Sequence, residues 1–271
     1  MTRSRTIRKA FLTLGLSLSA FTALGVAPAA AGPVADRVKS SGTLRVCIWP
    51  NYYGITFRDA RNQQLRGVDI DLSAEFAKRL GARLQYVESS FAKLVDDVIA
   101  ERCDVAMFGV GVTAQRQRSL AFSQPYLRSD VYGITTRANR VVGSWDDIDK
   151  PGVRVAVAAG TFMEPVMAQA LGKATLVVVR APQTREVELE AGRVDVFMTD
   201  YPYSRRLLKN ADWVRMVAPP SPFHPIPYAY AVKPGDDEWL RRVDEFVAEI
   251  KRDGTLEAAA RRHGLSEIVV R

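Results

Sequence analysis

Histidine and cysteine are scarce in this 271-residue chain, at two residues each. His224 and His263 stand apart, with no cysteine or second histidine at metal-ligand spacing, so no zinc-type centre is indicated. No serine nucleophile elbow, phosphate loop or zinc-protease helix motif occurs. Beyond Ala31 no apolar run is long enough to cross a bilayer. Charge of one sign is also in short supply. The formal excess is +8, and four of those charges (Arg3, Arg5, Arg8 and Lys9) lie in the first nine residues. Without them the excess is about +4, too modest to argue for a nucleic-acid partner.

Those four basic residues precede an almost wholly apolar or small stretch, Ala10 to Val26, and then Ala29-Ala30-Ala31. This order reads as an export signal, residues 1–31, cleaved before Gly32. The apolar part is short for a retained anchor, and no cysteine follows it closely enough for lipidation. Export places the mature chain in the periplasm and permits a disulfide. Cys47 falls late in one expected strand and Cys103 just before another. If those strands are parallel neighbours the two sulfurs lie at different heights, so two buried free thiols are expected over a bridge.

The remaining 240 or so residues suit one large domain or two lobes near 100 residues each. Strand and helix patterns alternate along them. Leu44–Ile48, Leu84–Val87 and Val105–Phe108 are expected strands. Between them Val68, Leu72, Phe76 and Leu80 recur every four residues, and Leu94, Val95, Val98 and Ile99 mark a second helix. The pattern restarts with strands at 153–158, 176–179 and 194–198 and helices at 162–171 and 184–191, followed by a helix at 203–208. Two β-α-β-α-β units imply two α/β lobes, each a mostly parallel sheet flanked by helices, with sites beyond the carboxyl ends of the strands. A further strand at 228–232 and two helices are too little for a third domain. They are expected to complete the first lobe, giving 32–126 plus 228–271 as lobe 1 and 127–227 as lobe 2. The chain then crosses between lobes twice, near 126–130 and near 224–228, and two crossovers make a hinge.

The stretch Asp104 to Tyr126 carries the strongest local signal. A short apolar run ends in Gly109 and Gly111, which allow close approach to the backbone. Thr113 and Arg116 follow, and an arginine there offers a planar fork to a carboxylate. Six segments in order then resemble the family 3 extracellular solute-binding proteins, the periplasmic receptors of polar amino-acid ABC importers: Ser41–Val46, Gly67–Leu72, Thr113–Arg116, Phe122–Tyr126, Gly192–Asp195 with Thr199-Asp200, and Arg252–Leu256. The resemblance covers essentially all of the mature chain and implies the type II two-lobed periplasmic binding protein fold.

It also implies roles. Arg116 is expected to pair with a ligand α-carboxylate, helped by Thr113, and Asp200 to receive the α-ammonium. Both Thr113 and Asp200 also read as helix caps. Gly160-Thr161, with Phe162 behind them, opens a helix after a strand, where backbone N–H groups suit an anion. Tyr52, Tyr53 and Phe91 match aromatics that pack on the ligand, though a core position is their other reading. Gly111 departs from the family pattern, which often has Ser or Thr there. The implied partners are a small-molecule ligand, an amino acid above all, and an ABC importer permease in the inner membrane. A monomer is expected and no cofactor is implied.

A weaker resemblance is to cyclohexadienyl dehydratase, a periplasmic enzyme of the same fold acting on prephenate or arogenate, for which a general acid must protonate the leaving hydroxyl. Its pattern has Gly-Thr-Asn-Glu. Here Gly160-Thr161-Phe162-Met163-Glu164 displaces the carboxylate by one residue, a rotation of about 100° on a helix. Glu164 is the only catalytic candidate on that reading.

Overall fold

A computed structural model describes residues 1–2 and 33–271; the expected signal segment lies outside the described residues except for its first two. After helix α1 (Pro33–Ser41) comes strand β1 (Thr43–Ile48), then three short strands, β2 (Asn51–Tyr52), β3 (Thr56–Arg58) and β4 (Leu65–Arg66), which form a small antiparallel sheet of their own. Helix α2 (Val68–Arg79) follows. It buries Val68, Leu72 and Phe76 on one face and carries Asp69 and Asp71 in its first turn and Lys78 and Arg79 in its last, charges that complement its dipole. Strand β5 (Arg83–Glu88), helix α3 (Leu94–Ile99), strand β6 (Val105–Gly111), the one-turn helix α4 (Ala114–Gln117) and strands β7 (Ala121–Phe122) and β8 (Leu127–Ser129) complete this half.

The second half runs through β9 (Val131–Thr136), β10 (Arg154–Ala158), α5 (Met163–Ala170), β11 (Thr175–Val179), α6 (Arg185–Glu190), β12 (Val196–Asp200), α7 (Tyr201–Asn210) and β13 (Val214–Val217). The chain then returns with β14 (Ile226–Val232), α8 (Asp237–Arg252) and α9 (Thr255–Arg262). Two mixed sheets result. One has the order β5-β1-β6-β14-β7, with β8 also on β14; the other has the order β11-β10-β12-β9-β13. As expected from the alternation, β1, β5 and β6 are parallel, as are β10, β11 and β12. The antiparallel members β14, β9 and β13 make both sheets mixed.

β6 is buried from end to end. Its alternate side chains feed two different cores: Val105 and Met107 pack with α2, while Ala106 and Phe108 pack with α3 residues Leu94 and Val98. This is the period-2 pattern of a strand covered on both faces. The passages between the sheets lie side by side. Ser129 pairs with Ile226, and the Asp130 carboxylate accepts the N–H groups of Phe223 (2.9 Å) and His224 (2.7 Å).

The expectation of free thiols is wrong. Cys47 and Cys103 form a disulfide, with Cα atoms 5.5 Å apart. The reading of different heights assumed that residue 103 extends β6 downward. Instead the chain turns at Glu101, which has φ +55°, and Asp104 N–H reaches the Arg45 carbonyl at 2.8 Å. Asp104 also takes Arg45 N–H at 2.8 Å and the Arg45 guanidinium at 2.6 and 2.9 Å. The turn brings Cys103 onto the same sheet face as Cys47, among Leu94, Val98 and Ala106. The bridge spans 56 residues, so Cys47→Ser with Cys103→Ser is expected to lower unfolding free energy by about 4 kcal/mol. Urea denaturation with and without reductant measures this; an unchanged midpoint would mean that the bridge adds nothing.

Candidate functional site

The carboxyl ends of β6 and β12 face each other across the interface between the two sheets. There they enclose a cavity of about 20 Å³, room for about one water. Tyr52, Phe91 and Gly109 reach it from the first sheet's side, and Thr161, Phe162 and Asp200 from the second's. Trp49 and Tyr52 pack on Phe91 with ring centroids 5.4 and 5.6 Å away, so the first wall is an aromatic box. Gly109 has φ +62°, and a Cβ there would come within 2.9 Å of the Tyr52 ring. A side chain at this position would push Tyr52 off Asp200.

Asp200 ends β12, fully buried, and caps α7 by accepting Tyr203 N–H at 3.1 Å. Its other oxygen accepts the hydroxyls of Tyr52 and Tyr228, both from the first sheet's half. Burial holds the carboxyl above its ordinary range, while the two hydroxyls, Tyr203 N–H and the Arg185 charge pull it back. Burial, with Asp200 next in order, keeps both phenols protonated well beyond their usual pH.

Arg116 is also buried, at 7% exposure. Its Nη1 donates to the Gly111 carbonyl at 2.8 Å, its Nη2 to the Gly160 carbonyl at 3.0 Å, and its guanidinium lies 5.2 Å from the Phe91 centroid. Desolvation lowers its pKa to about 10, so it stays charged at neutral pH. Thr113 caps α4, accepting Arg116 N–H at 3.1 Å. Beside the cavity the two halves are thus joined by two polar links, Arg116 to Gly160 and Asp200 to the tyrosine pair; in addition Tyr201 donates its hydroxyl to Glu267 at 2.8 Å and its N–H to Ser129 at 2.9 Å.

Not every expected site residue reaches the cavity. Arg116, Thr113 and Gly111 are not on its wall; Gly111 is covered by Ile226 and Phe162, which a Cβ would approach to 2.9 and 3.4 Å. Tyr53 is off the cavity, its ring tilted against those of Phe57 and Tyr203 with centroids 4.3 and 4.9 Å away. The backbone at Gly160 is not free for an anion, because its N–H donates to Glu164 Oε2 at 2.8 Å. The same bond occupies Glu164, which is not on the cavity wall.

Trp49, Tyr203 and Arg185 line the cavity, and Tyr228 reaches Asp200, without having been expected from sequence. One signal for Arg185 exists. It is the first residue of α6, directly after the cap Thr184, and a cation at that end opposes the helix dipole.

The sequence model of the bacterial extracellular solute-binding proteins, family 3, matches residues 44–266. Cyclohexadienyl dehydratase of Pseudomonas aeruginosa is 31% identical over 222 residues, 82% of each chain. The L-cystine-binding protein TcyJ of Escherichia coli is 24% identical over 252 residues, 93% of this chain and 90% of that one. Among solved structures, the ancestral amino acid-binding protein AncCDT-1, a precursor of cyclohexadienyl dehydratase, aligns at a TM-score of 0.76 and 30% identity, over 84% of this chain and 98% of that one. Tv2483 bound to L-arginine aligns at 0.78 and 19% identity, over 89% and 98%, a likeness of fold alone.

Proposed function

Because the chain belongs to the family 3 bacterial extracellular solute-binding proteins, we propose that it is a periplasmic receptor that captures an amino acid or similar small carboxylate by closure of its two lobes and delivers it to an ABC importer permease. The observation that carries this reading is the pair of polar links across the interface. A cation (Arg116) and an anion (Asp200) sit at the meeting surfaces of the two sheets, and each is held by groups of the opposite half. A zwitterion offers the complementary pair. Its carboxylate would take the place of the Gly160 carbonyl on Arg116, and its ammonium would receive Asp200 as Tyr52 and Tyr228 withdraw. Residues 32–126 with 228–271 form one lobe on this reading, 127–227 the other, and the adjacent passages near Asp130 and His224 are the hinge. Ligand shifts the closed population by its differential affinity for that state.

A thermal-shift and calorimetric screen of the mature protein against the amino acids and small carboxylates tests the reading. At least one compound is expected to raise the melting temperature by several degrees. Arg116→Ala should weaken that compound about 100-fold, the worth of a charge-assisted fork in a closed cleft. No hit in the screen, or a hit that Arg116→Ala leaves unchanged, would refute it.

The 31% identity to a dehydratase favours a second reading, a lyase acting on prephenate or arogenate. Against it, Glu164 is turned onto the backbone of its own loop and away from the cavity. Incubation with prephenate should give no phenylpyruvate; turnover abolished by Glu164→Gln would reverse the order of the two readings.

A further inference from the structure

Two charged side chains stand on the cavity wall among the described residues, Asp200 and Arg185. Arg185 is 5% exposed. Its Nη1 donates to the Met198 carbonyl at 2.7 Å, the single hydrogen bond its guanidinium makes among the described residues. Its plane is gripped between Phe197 and Tyr203, whose centroids lie 5.1 and 4.9 Å from Cζ. The nearest carboxylate, Glu186, is 3.9 Å from Nη2 and is itself hydrogen-bonded by the Tyr203 hydroxyl at 2.7 Å. Among the described residues the buried side-chain atom left wholly without a partner is Arg242 Nε. The remaining N–H groups of Arg185 therefore keep some accessible surface, and Arg185 is a residue of the cavity wall. This is a buried, pre-oriented cation with donors to give, placed where the helix dipole opposes it.

Glu186 is the carboxylate beside Arg185, but at 3.9 Å from Nη2 it lies beyond hydrogen-bond reach and off the cavity wall. A second carboxylate on the ligand would take the donors of Arg185 that Glu186 leaves open. A ligand with a cationic side chain would bring like charges together.

We propose that Arg185 is a second anion-binding group of this cleft and that the ligand is a small acid with two carboxylates, of the acidic amino-acid class. The inference rests on the receptor reading above. The first carboxylate meets Arg116, the ammonium meets Asp200, and the second carboxylate takes the open donors of Arg185. The aromatic grip fixes the guanidinium plane before binding, so little side-chain freedom is lost on contact.

Calorimetry on the mature protein with glutamate, aspartate, glutamine, asparagine, arginine, lysine, succinate and glutarate tests it. The acids should bind at least about 30-fold tighter than their isosteric amides, because the amide cannot complete an ion pair with a buried guanidinium. Arg185→Gln should reduce that ratio to about 3-fold or less, and Arg185→Lys should retain part of it. The acid-to-amide ratio is read on the unsubstituted protein, so the test survives if a variant at this buried position fails to fold. Succinate or glutarate binding as tightly as the amino acids supports the second carboxylate site and removes Asp200 from recognition. Amides binding as well as acids, or arginine and lysine binding best, overturns the inference and leaves the receptor reading intact. Binding of none of these together with none of the wider panel fails the receptor reading, and the inference with it.

Discussion

Asp69→Asn is expected to make the protein more stable above pH 7 by about 4 kcal/mol, and to change it little near pH 4. Asp69 sits in the first turn of α2, fully buried. One carboxyl oxygen accepts Gly109 N–H at 2.8 Å and the Tyr126 hydroxyl at 2.6 Å; the other accepts the Tyr230 hydroxyl at 3.2 Å. Burial pushes its pKa up to about 7, and the three donors only partly restrain it. The folded pKa therefore lies above the unfolded value, near 3.8. Below that value both states hold the proton and the contribution to stability is complete. As pH rises toward 7 the unfolded state ionises while the folded state does not, and stability is lost until the folded carboxyl ionises too. Asparagine has no proton to lose. Its Oδ1 can keep Gly109 and Tyr126, and its amide can donate to the Tyr230 oxygen. Urea denaturation of both proteins at pH 4, 6 and 8 reads the effect as a difference that grows with pH. A constant difference would show that Asp69 ionises near its ordinary value, and a less stable variant at pH 8 would show that the carboxylate is needed as a charge.

This residue shows how far the sequence could be read. Gly67–Leu72 is legible as a family segment and Val68, Leu72 and Phe76 as a helix face, because that spacing is local. What Asp69 does is not local: its partners are 40, 57 and 161 residues away. The same division runs through the fold. Parallel strands between amphipathic helices show in the pattern, since the central ones, β1, β6, β10 and β12, are apolar runs buried on both faces. The antiparallel β9 and β13 do not, because they are specified by pairing with β12 and with each other, and the two- and three-residue strands β2 to β4 are too short for any period. At the site, groups at or near strand ends (Gly109, Arg116, Asp200) could be named in advance. Tyr228 and Arg185 could not, because a core strand tyrosine and a helix-start arginine acquire their position only when the two sheets meet. The disulfide failed for a related reason: strand spacing sets heights along a straight strand, and the turn at Glu101 breaks that premise.

Gly160→Val is expected to abolish ligand binding, weakening it about a thousand-fold (~4 kcal/mol), while each half keeps its fold. Gly160 has φ +75° two residues past the end of β10, and a Cβ added there would lie 2.6 Å from both the Cα and N of Ala92 and 2.8 Å from the Phe91 carbonyl carbon. These are backbone atoms of the opposite half, so no rotamer change relieves the overlap. The left-handed φ adds a cost of order 1–2 kcal/mol for a β-branched residue. Both penalties fall on the joined state. A separated state relieves the overlap with Ala92 and leaves the cores around β1 and β10 untouched. Small-angle scattering should therefore show a larger radius of gyration for Gly160→Val that ligand does not reduce, and calorimetry should show the loss of affinity. Circular dichroism should report native secondary structure. Unchanged affinity, or a compact particle identical to the unsubstituted protein, would mean that the contact between Gly160 and Ala92 is not part of the ligand-binding state.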